Sequence, residues 1–288
     1  MSTKCFTRMG QIGIAVKDIE RAKDICHSYG MGPLRYFVAN EQSVQNCELF
    51  GEKVDRILFG NYMYEMRGVT FELFEDIENT VWKKFIEEQG EGVCDVMLTP
   101  TPRYYEVLKE RGIKEIMKFT LYNHKFSEDD IFDQVMRMHD TRKDLGFTIF
   151  TWDQTEAAKK RVYPRDQMAT GWYHMLDDGT EPFLQKPQFT RLERILVVVE
   201  NLEETIENYK AYGFGPFTEI KDYDGRYRSA EFAQNTDFED VIFEIIEPID
   251  PECPYAKYLA KYGRGIYNII LAQNPEHNNV IKTMTQEV

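Results

Sequence analysis

Two separated stretches of this sequence carry the same pattern of residues. Residues 11–33 align without a gap to residues 194–216, with seven of the 23 positions identical, and both stretches end in Tyr-Gly-x-Gly-Pro. Two further matches follow in the same order, between residues 69–75 and 241–247 and between residues 90–98 and 263–271. Ordered self-similarity of this kind indicates a duplicated domain. The 288 residues are therefore expected to form two related units, here called the first and the second copy.

The composition excludes several classes of function. A net charge of −14 disfavours nucleic acid and anionic membrane surfaces, because phosphate binding needs clustered Lys and Arg. No apolar run reaches the roughly 20 residues that a membrane span requires, and the first residues lack the pattern of a signal peptide. The five cysteines are odd in number and contain no C-x-x-C pair, which predicts reduced thiols and a cytoplasmic protein.

Apolar periodicity predicts the order of helices and strands. The first copy reads as two consecutive β-α-β-β-β units, of which the second begins near residue 93 and ends near residue 154, with helices predicted over residues 79–89 and 102–111. The second copy repeats this order, with helices predicted over residues 253–262 and 275–286, and is expected to lack the last three strands. The predicted fold class is α+β. The predicted domains are residues 1–155, which are complete, and residues 191–288, which are truncated, with a linker over 156–190 that supplies strands or a lid.

Two segments carry a resemblance to a known superfamily. Residues 243–271 are similar to an epimerase-type stretch that runs from a glutamate-bearing strand through a helix to a Gly-x-Gly-Ile-His-His strand. Residues 138–152, MHDTRKDLGFTIFTW, look like the closing hairpin of the same domains. With its paired β-α-β-β-β units, the chain resembles the vicinal oxygen chelate superfamily, which includes glyoxalase I, bleomycin-resistance proteins, extradiol dioxygenases and methylmalonyl-CoA epimerase. The resemblance implies tandem glyoxalase-like domains, the second of them incomplete.

The resemblance also implies a site on the concave face of each curved sheet, where one side chain from each of four strands holds a metal. The matching residues of the first copy are Gln11, Glu72, Asp95 and Phe150. Those of the second copy are Arg194, Glu244 and Asn268, and the fourth strand is not reached. Side chains alternate between the two faces of a strand. This alternation independently assigns the first-copy residues to one face, together with Thr148 and Trp152.

Three of the first-copy positions offer oxygen ligands. Gln11, Glu72 and Asp95 suit one hard divalent cation such as Mg²⁺ or Mn²⁺, and they suit Fe(II) chemistry poorly because imidazole is absent. Phe150 in the fourth position favours the alternative, which is a metal-free polar cluster inside a binding cleft. No metal is expected in the second copy, because Arg194 faces Glu244 and a guanidinium cannot share a site with a cation.

Further candidate residues complete the predicted first-copy site. The candidate catalytic groups are Glu72, Asp95 and His139. The candidate substrate-binding residues are Arg137, Thr148, Phe150 and Trp152. Arg137 and His139 share one face of a strand and could anchor an anionic substrate, with a solvent-facing pair as the alternative. His174, in the linker, could close the cleft as part of a lid or pack on the domain interface.

Three functions are compatible with these features. The first is an enzyme of the lyase or isomerase type that acts on a small carboxylate, keto acid or acyl-thioester in the first-copy cleft. The alternative is a non-catalytic, metal-free protein that binds a small molecule there, as the resistance-protein branch does. The third is a structural partner in a larger complex. We also expect a homodimer, because an incomplete sheet exposes strand edges that folded proteins usually cover.

Overall fold

The computed structural model describes residues 4–32, 34–41, 43–121, 134–154 and 188–275, and it confirms the predicted α+β class. The first unit of the first copy comprises β1 (Phe6–Val16), α1 (Ile19–Ser28), β2 (Arg35–Ala39), β3 (Val44–Leu49), β4 (Glu52–Lys53), β5 (Leu58–Met66) and β6 (Val69–Glu78). Its second unit follows helix α2 (Val81–Gln89). That unit comprises β7 (Gly92–Pro100), α3 (Pro102–Arg111), β8 (Glu115–Leu121), β9 (Gln134–His139), α4 (Arg142–Leu145) and β10 (Thr148–Gln154).

In its described residues, the second copy repeats the order of the first unit without a counterpart of the β3–β4 hairpin. Its elements are β11 (Phe189–Val198), α5 (Leu202–Ala211), β12 (Lys221–Asp222), β13 (Tyr227–Asn235), β14 (Asp240–Pro248), α6 (Pro254–Tyr262) and β15 (Gly265–Gln273). The duplication extends to the helix caps. Asp18 begins α1 by accepting a hydrogen bond from the Arg21 backbone N–H, and Asn201 begins α5 in the same way through Glu204.

The strands form two sheets, one from each copy. The first sheet has ten strands in the order β2-β5-β6-β1-β7-β10-β9-β8-β3-β4, and the second has five in the order β12-β13-β14-β11-β15. In the first sheet β1 lies at the centre, parallel to β6 and antiparallel to β7. In the second sheet β11 has the same relation to β14 and β15. The first strand of each copy therefore joins its neighbours in the same way.

The β3–β4 hairpin makes the first sheet curl strongly. It follows β2 in the chain, and β2 is the strand at one end of the sheet. The hairpin nevertheless pairs with β8 near the opposite end, where Val44 lies beside Leu121 and Leu49 beside Met117. Since only the short stretch from residue 40 to residue 43 connects β2 to β3, the two ends of the sheet must approach each other. The concave face of the first sheet is consequently enclosed on both sides.

Each face of the first sheet has its own apolar core. Ile12 and Ile14 of β1 point to the convex face and pack with helix α1. The same core continues into the second copy through Ile195 of β11 and Tyr209 of α5. The concave face carries a separate core, which includes Ala15 of β1. The alternation along β1 therefore matches the prediction, and the two copies share one core between their sheets.

A polar network also joins the two copies at this interface. The carboxylate of Asp144 in α4 accepts hydrogen bonds from the Arg111 guanidinium at 2.6 Å and from the Tyr212 hydroxyl of the second copy at 2.9 Å. Arg111 also donates to the Asn208 side chain of α5 at 2.6 Å. The charge of Asp144 is thus paired with a cation where the copies meet.

Several predicted features fall outside the described residues. These are residues 156–187 of the predicted linker with His174, and a helix predicted over residues 275–286. Strand β11 begins at Phe189, two residues before the predicted start of the second domain. Within the described ranges β15 pairs only with β11. The homodimer predicted from this edge stays a prediction. No helix in the described part of the chain is long and apolar enough to cross a membrane.

Candidate functional site

The central strands of the first sheet align the predicted site residues in two neighbouring rows. Gly13 of β1 lies between Glu72 of β6 and Asp95 of β7, and Asp95 is followed across the sheet by Thr148 of β10. Gln11 lies in the next row, where Met97 is its partner on β7 and Phe150 is the partner of Met97 on β10. Met97 and Phe150 belong to the concave core, so both rows face the concave side.

Glu72 is buried at the bottom of this concave face. Only 4% of the residue is exposed, and its Oε2 accepts a hydrogen bond of 2.7 Å from Gln11 Nε2. Burial and, to a smaller extent, the nearby carboxyl of Asp95 raise the pKa of Glu72 to about 8, although hydrogen bonds from the amides of Asn61 and Gln11 act in the opposite direction. Glu72 is therefore largely protonated at neutral pH.

Asp95 lies directly over Gly13, which provides the space for it. A Cβ at position 13 would lie 2.4 Å from Asp95 Oδ2, so only glycine fits there. A bulge in β7, between the pairs Gly13–Asp95 and Ile14–Val93, leaves Cys94 as the extra residue beside it. Asp95 Oδ2 accepts hydrogen bonds from Cys94 Sγ at 3.1 Å and from the indole N–H of Trp82. Burial raises the pKa of Asp95 to about 6.

Trp82 lies in the first turn of α2, the helix that covers the concave face. Trp82 Nε1 lies 3.2 Å from Asp95 Oδ2, and its ring stacks on Phe74 with a centroid distance of 4.0 Å. Phe59 meets the same indole edge-on at 4.9 Å. Helix α2 therefore closes the face by means of one aromatic side chain that also donates to a buried carboxylate.

Two acceptor oxygens in this region have no hydrogen-bond donor among the described residues. They are Asn61 Oδ1 on β5 and Asp95 Oδ1, and both residues are at least 97% buried. Leaving a buried polar atom without a partner costs on the order of 1–3 kcal/mol. Asn61 and Glu72 line a cavity of about 20 Å³, which has room for about one water molecule. The rest of its wall is formed by Phe59, Phe74, Trp82, Met117, Phe119, Leu121, Met136 and Phe150.

Comparisons with solved structures identify the fold. A mutant of 4-hydroxymandelate synthase from Streptomyces coelicolor matches 93% of this chain and 71% of its own, with 16% identity and a TM-score of 0.53. A xylose isomerase-like TIM barrel/4-hydroxyphenylpyruvate dioxygenase fusion protein matches 95% of this chain and 38% of its own, with 10% identity and a TM-score of 0.51. The chain has the vicinal oxygen chelate fold. The fold that the sequence predicted is thereby confirmed.

Other comparisons add little beyond the fold. Methylmalonyl-CoA epimerase from Mycobacterium tuberculosis covers 56% of this chain and 97% of its own, with 14% identity and a TM-score of 0.38. No protein-family model and no curated protein sequence matches the chain. The likeness to the synthase and to the fusion protein establishes the fold alone and leaves the activity to be argued from the site.

Proteins with the vicinal oxygen chelate fold typically bind a divalent metal, and the residues here do not fit one. In the described part of the chain no group of three His, Cys, Asp or Glu side chains could hold a metal ion. Gln11 directs its amide N–H, rather than its oxygen, at Glu72. Phe150 occupies the fourth position, and the aromatic walls leave no space for the water ligands that Mg²⁺ retains. The prediction of a Mg²⁺ or Mn²⁺ site at Gln11, Glu72 and Asp95 is not supported.

Two of the predicted site residues lie on the other side of the sheet. His139 is buried against Tyr104, whose hydroxyl lies 3.1 Å from His139 Nδ1, and Tyr104 belongs to the convex core. Arg137 has the same orientation and pairs with Glu115 and Asp153. Burial lowers the pKa of His139 to about 4, with a smaller contribution from Arg137. Neither residue can reach a molecule held next to Glu72, so the structure does not bring them into the site.

The other predicted residues do share the concave face. Phe150 lines the cavity, and Trp152 packs against the concave core. Thr148 lies beside Asp95 and is also buried. The sequence interpretation missed Asn61 and Trp82. A signal existed for Asn61, because alternation in β5 places it between Phe59 and Met63 on one face, but no pattern showed that α2 packs on that face.

The second copy replaces this arrangement with an ion-paired one. Arg194 Nη1 donates to Glu231 at 2.8 Å and to Glu244 at 3.3 Å, and Glu244 also accepts from Ser229 at 2.9 Å. Leu196 occupies the position that corresponds to Gly13, between Glu244 and Asn268. The equivalent carboxylate is therefore paired with a cation here, whereas Glu72 has only neutral donors.

Proposed function

We propose that this protein binds a small organic molecule, without a metal, on the concave face of its first sheet. One observation carries the proposal. Glu72 and Asp95 are buried together with two acceptor oxygens that lack donors, although burying such groups opposes folding. The second copy has the same framework and pairs its equivalent carboxylate, Glu244, with Arg194. The fold itself therefore does not require a buried carboxyl group without a counter-charge. A ligand that supplies the missing donors would account for it.

The ligand must displace Trp82, because the cavity beside Glu72 holds only about one water molecule. Helix α2 is suited to such a movement. Val81 and Trp82 are its only buried residues, and its N-cap residue, Thr80, makes no side-chain capping hydrogen bond. An indole that swings away from Phe74 would open the face towards α2 and expose Asp95. This opening is part of the proposal.

The lining argues against the anionic substrates that the sequence suggested. No Lys, Arg or His contributes to the cavity wall among the described residues, and the polar groups on it are Asn61 and the carboxyl of Glu72. A carboxylate or keto acid placed there would lie beside the carboxyl of Glu72, and near that of Asp95 once Trp82 is displaced, without a counter-charge from the described residues. An acyl-thioester is compatible with this cavity only if its neutral acyl end enters it. An apolar body with a hydrogen-bond donor fits better.

The proposal can be tested by screening small aromatic and aliphatic compounds for an increase in melting temperature. Compounds that bind this face should stabilise wild type and should lose most of their effect in Asp95→Asn, which keeps the shape of the side chain. Glu244→Gln, the corresponding change in the second copy, serves as the matched control and should retain the effect. If no compound stabilises the protein, or if the active compounds work equally well in Asp95→Asn, the proposed site is wrong.

A second candidate function is proton transfer on the same ligand. Its support is that burial places the pKa of Glu72 at about 8 and that of Asp95 at about 6, on either side of neutral pH, where acid–base catalysis is efficient. A lyase or isomerase would use Glu72 in this way. Each compound that binds should be incubated in D₂O with wild type and with Glu72→Gln, and exchange at carbon followed by NMR. Exchange that requires Glu72 supports catalysis, and its absence leaves a binding protein.

A further inference from the structure

We infer that the ligand of this face is an organic cation, namely a protonated amine or a quaternary ammonium carried by an apolar group. The inference rests on the proposed function and specifies the class of molecule that the site accepts. It depends on three features of the described residues: the charge balance of the site, the kind of hydrogen-bonding atom left without a partner, and the aromatic wall.

The site has two carboxyl groups, of which Glu72 is largely protonated, and it has no cationic side chain among the described residues. The hydrogen-bonding partners of Asp95 and Glu72 are the neutral side chains of Trp82, Cys94, Gln11 and Asn61. No ion pair to either carboxyl occurs within the described ranges, and no Lys, Arg or His lines the cavity. A carboxylate that is buried without a counter-charge is costly. A ligand that brings positive charge removes this cost, and an anion increases it.

Elsewhere in the described residues, one buried and one partly buried carboxylate are each paired with an arginine. Asp144, which is 8% exposed, has the Arg111 guanidinium at 2.6 Å. Glu244, at the position equivalent to Glu72, has Arg194 at 3.3 Å. Among the described residues, the first copy has no such arginine beside Glu72. At the position where the second copy has the cationic Arg194, the first copy has the neutral Gln11.

Two buried acceptors of the site, Asn61 Oδ1 and Asp95 Oδ1, lack a donor among the described residues. An ammonium group has up to three N–H donors and no acceptor, so it can supply both. A hydroxyl has one O–H donor and can supply only one of them.

The wall suits a cation as well as an apolar body. Phe59, Phe74, Trp82 and Phe119 contact one another around the cavity, with centroid distances of 4.0–5.8 Å. The faces of aromatic rings attract ammonium groups, and Trp attracts them most. A metal ion gains nothing comparable from such a wall and needs oxygen or water ligands in its place. The wall therefore favours an organic cation over an inorganic one.

The test compares three probes of similar size and different charge: benzylamine, benzyl alcohol and benzoate. Dissociation constants are measured by NMR titration at pH 7.5 with the full chain. We expect wild type to bind benzylamine at least about tenfold more tightly than benzyl alcohol, and benzoate not at all. Asp95→Asn should reduce the preference for the amine to less than about threefold. Glu244→Gln should leave it unchanged. A tenfold preference corresponds to about 1.4 kcal/mol.

The outcomes separate this inference from the function on which it rests. Equal binding of the amine and the alcohol, with both lost in Asp95→Asn, would overturn the charge class and leave the binding site in place. Tightest binding of benzoate would overturn it too, as would a preference for the amine that survives in Asp95→Asn. If Asp95→Asn does not fold, Asp95→Ser, which also removes the charge, is measured by the same criteria. If none of the probes binds wild type or Trp82→Phe, the inference fails, and the compound screen then decides whether the proposed function fails with it.

Discussion

Replacement of Glu72 by Gln should make the protein less sensitive to rising pH. The folded state holds the proton of Glu72 up to about pH 8, because the carboxyl is buried, whereas the unfolded chain releases it near pH 4.5. The stability that protonated Glu72 contributes is fully present below about pH 4.5 and is lost as the pH rises towards 8. Glutamine has nearly the same shape, keeps an acceptor for Gln11 and does not titrate.

The magnitude follows from linkage between folding and protonation. One unit of pKa shift corresponds to about 1.4 kcal/mol. Between pH 5 and pH 7, wild type should therefore lose about 2–3 kcal/mol of unfolding free energy through Glu72, and the variant should lose none of it. The difference in stability between Glu72→Gln and wild type should rise by that amount over this interval. Other titrating groups are common to both proteins and cancel in the difference.

The assay is urea denaturation of wild type, Glu72→Gln and Glu244→Gln at pH 5 and pH 7, followed by tryptophan fluorescence. Glu244→Gln is the matched control, and its difference from wild type should not rise with pH, because Arg194 offsets the charge of Glu244. A difference between Glu72→Gln and wild type that stays constant within about 0.5 kcal/mol would refute the reasoning, since it would mean that Glu72 is ionised in the folded protein at neutral pH.

Three further results are expected. Trp82→Ala should lower the unfolding free energy by about 3–5 kcal/mol in urea denaturation, because it removes a buried aromatic ring and the donor to Asp95; a loss below about 1 kcal/mol would show that α2 does not pack on the concave face. The unfolding free energy of wild type should decrease by about 3 kcal/mol as the pH falls from 6.5 to below 4, because the histidine binds a proton in the unfolded chain and remains neutral in the folded protein. His139→Gln should abolish this decrease. An unchanged pH dependence of the unfolding free energy would contradict the burial of His139. Mn²⁺ added after chelation should shift the melting temperature equally little in wild type and in Glu72→Ala, and a shift only in wild type would restore the metal site.

The regular elements were predictable because they follow from local periodicity. The helix predicted over residues 102–111 is present at Pro102–Arg111, and that predicted over 253–262 begins one residue later. The alternation in β1 correctly separated Ile12 and Ile14 from Gln11. These signals depend on neighbours within a turn or a strand, and the duplication showed each of them twice.

The errors concern which side of an element faces which neighbour. Arg137 and His139 were correctly placed on one face of β9, but nothing in their spacing showed that this face points to Tyr104 rather than to Glu72. The intervening Met136 and Met138 occupy the concave core. Likewise, the sequence of α2 showed a helix and could not show that its first turn inserts into the site. Such relations arise from tertiary packing.

The pairing of the β3–β4 hairpin with β8 has a consequence for synthesis of the chain. The hairpin, over residues 44–53, obtains its partner only when residues 115–121 are available, so the first β-α-β-β-β unit cannot complete its hydrogen bonds while it is the only part made. Contacts between residues far apart in sequence slow folding. The enclosed concave face around Glu72 and Asp95 therefore forms late, and both side chains stay accessible to water until both units of the first copy have formed.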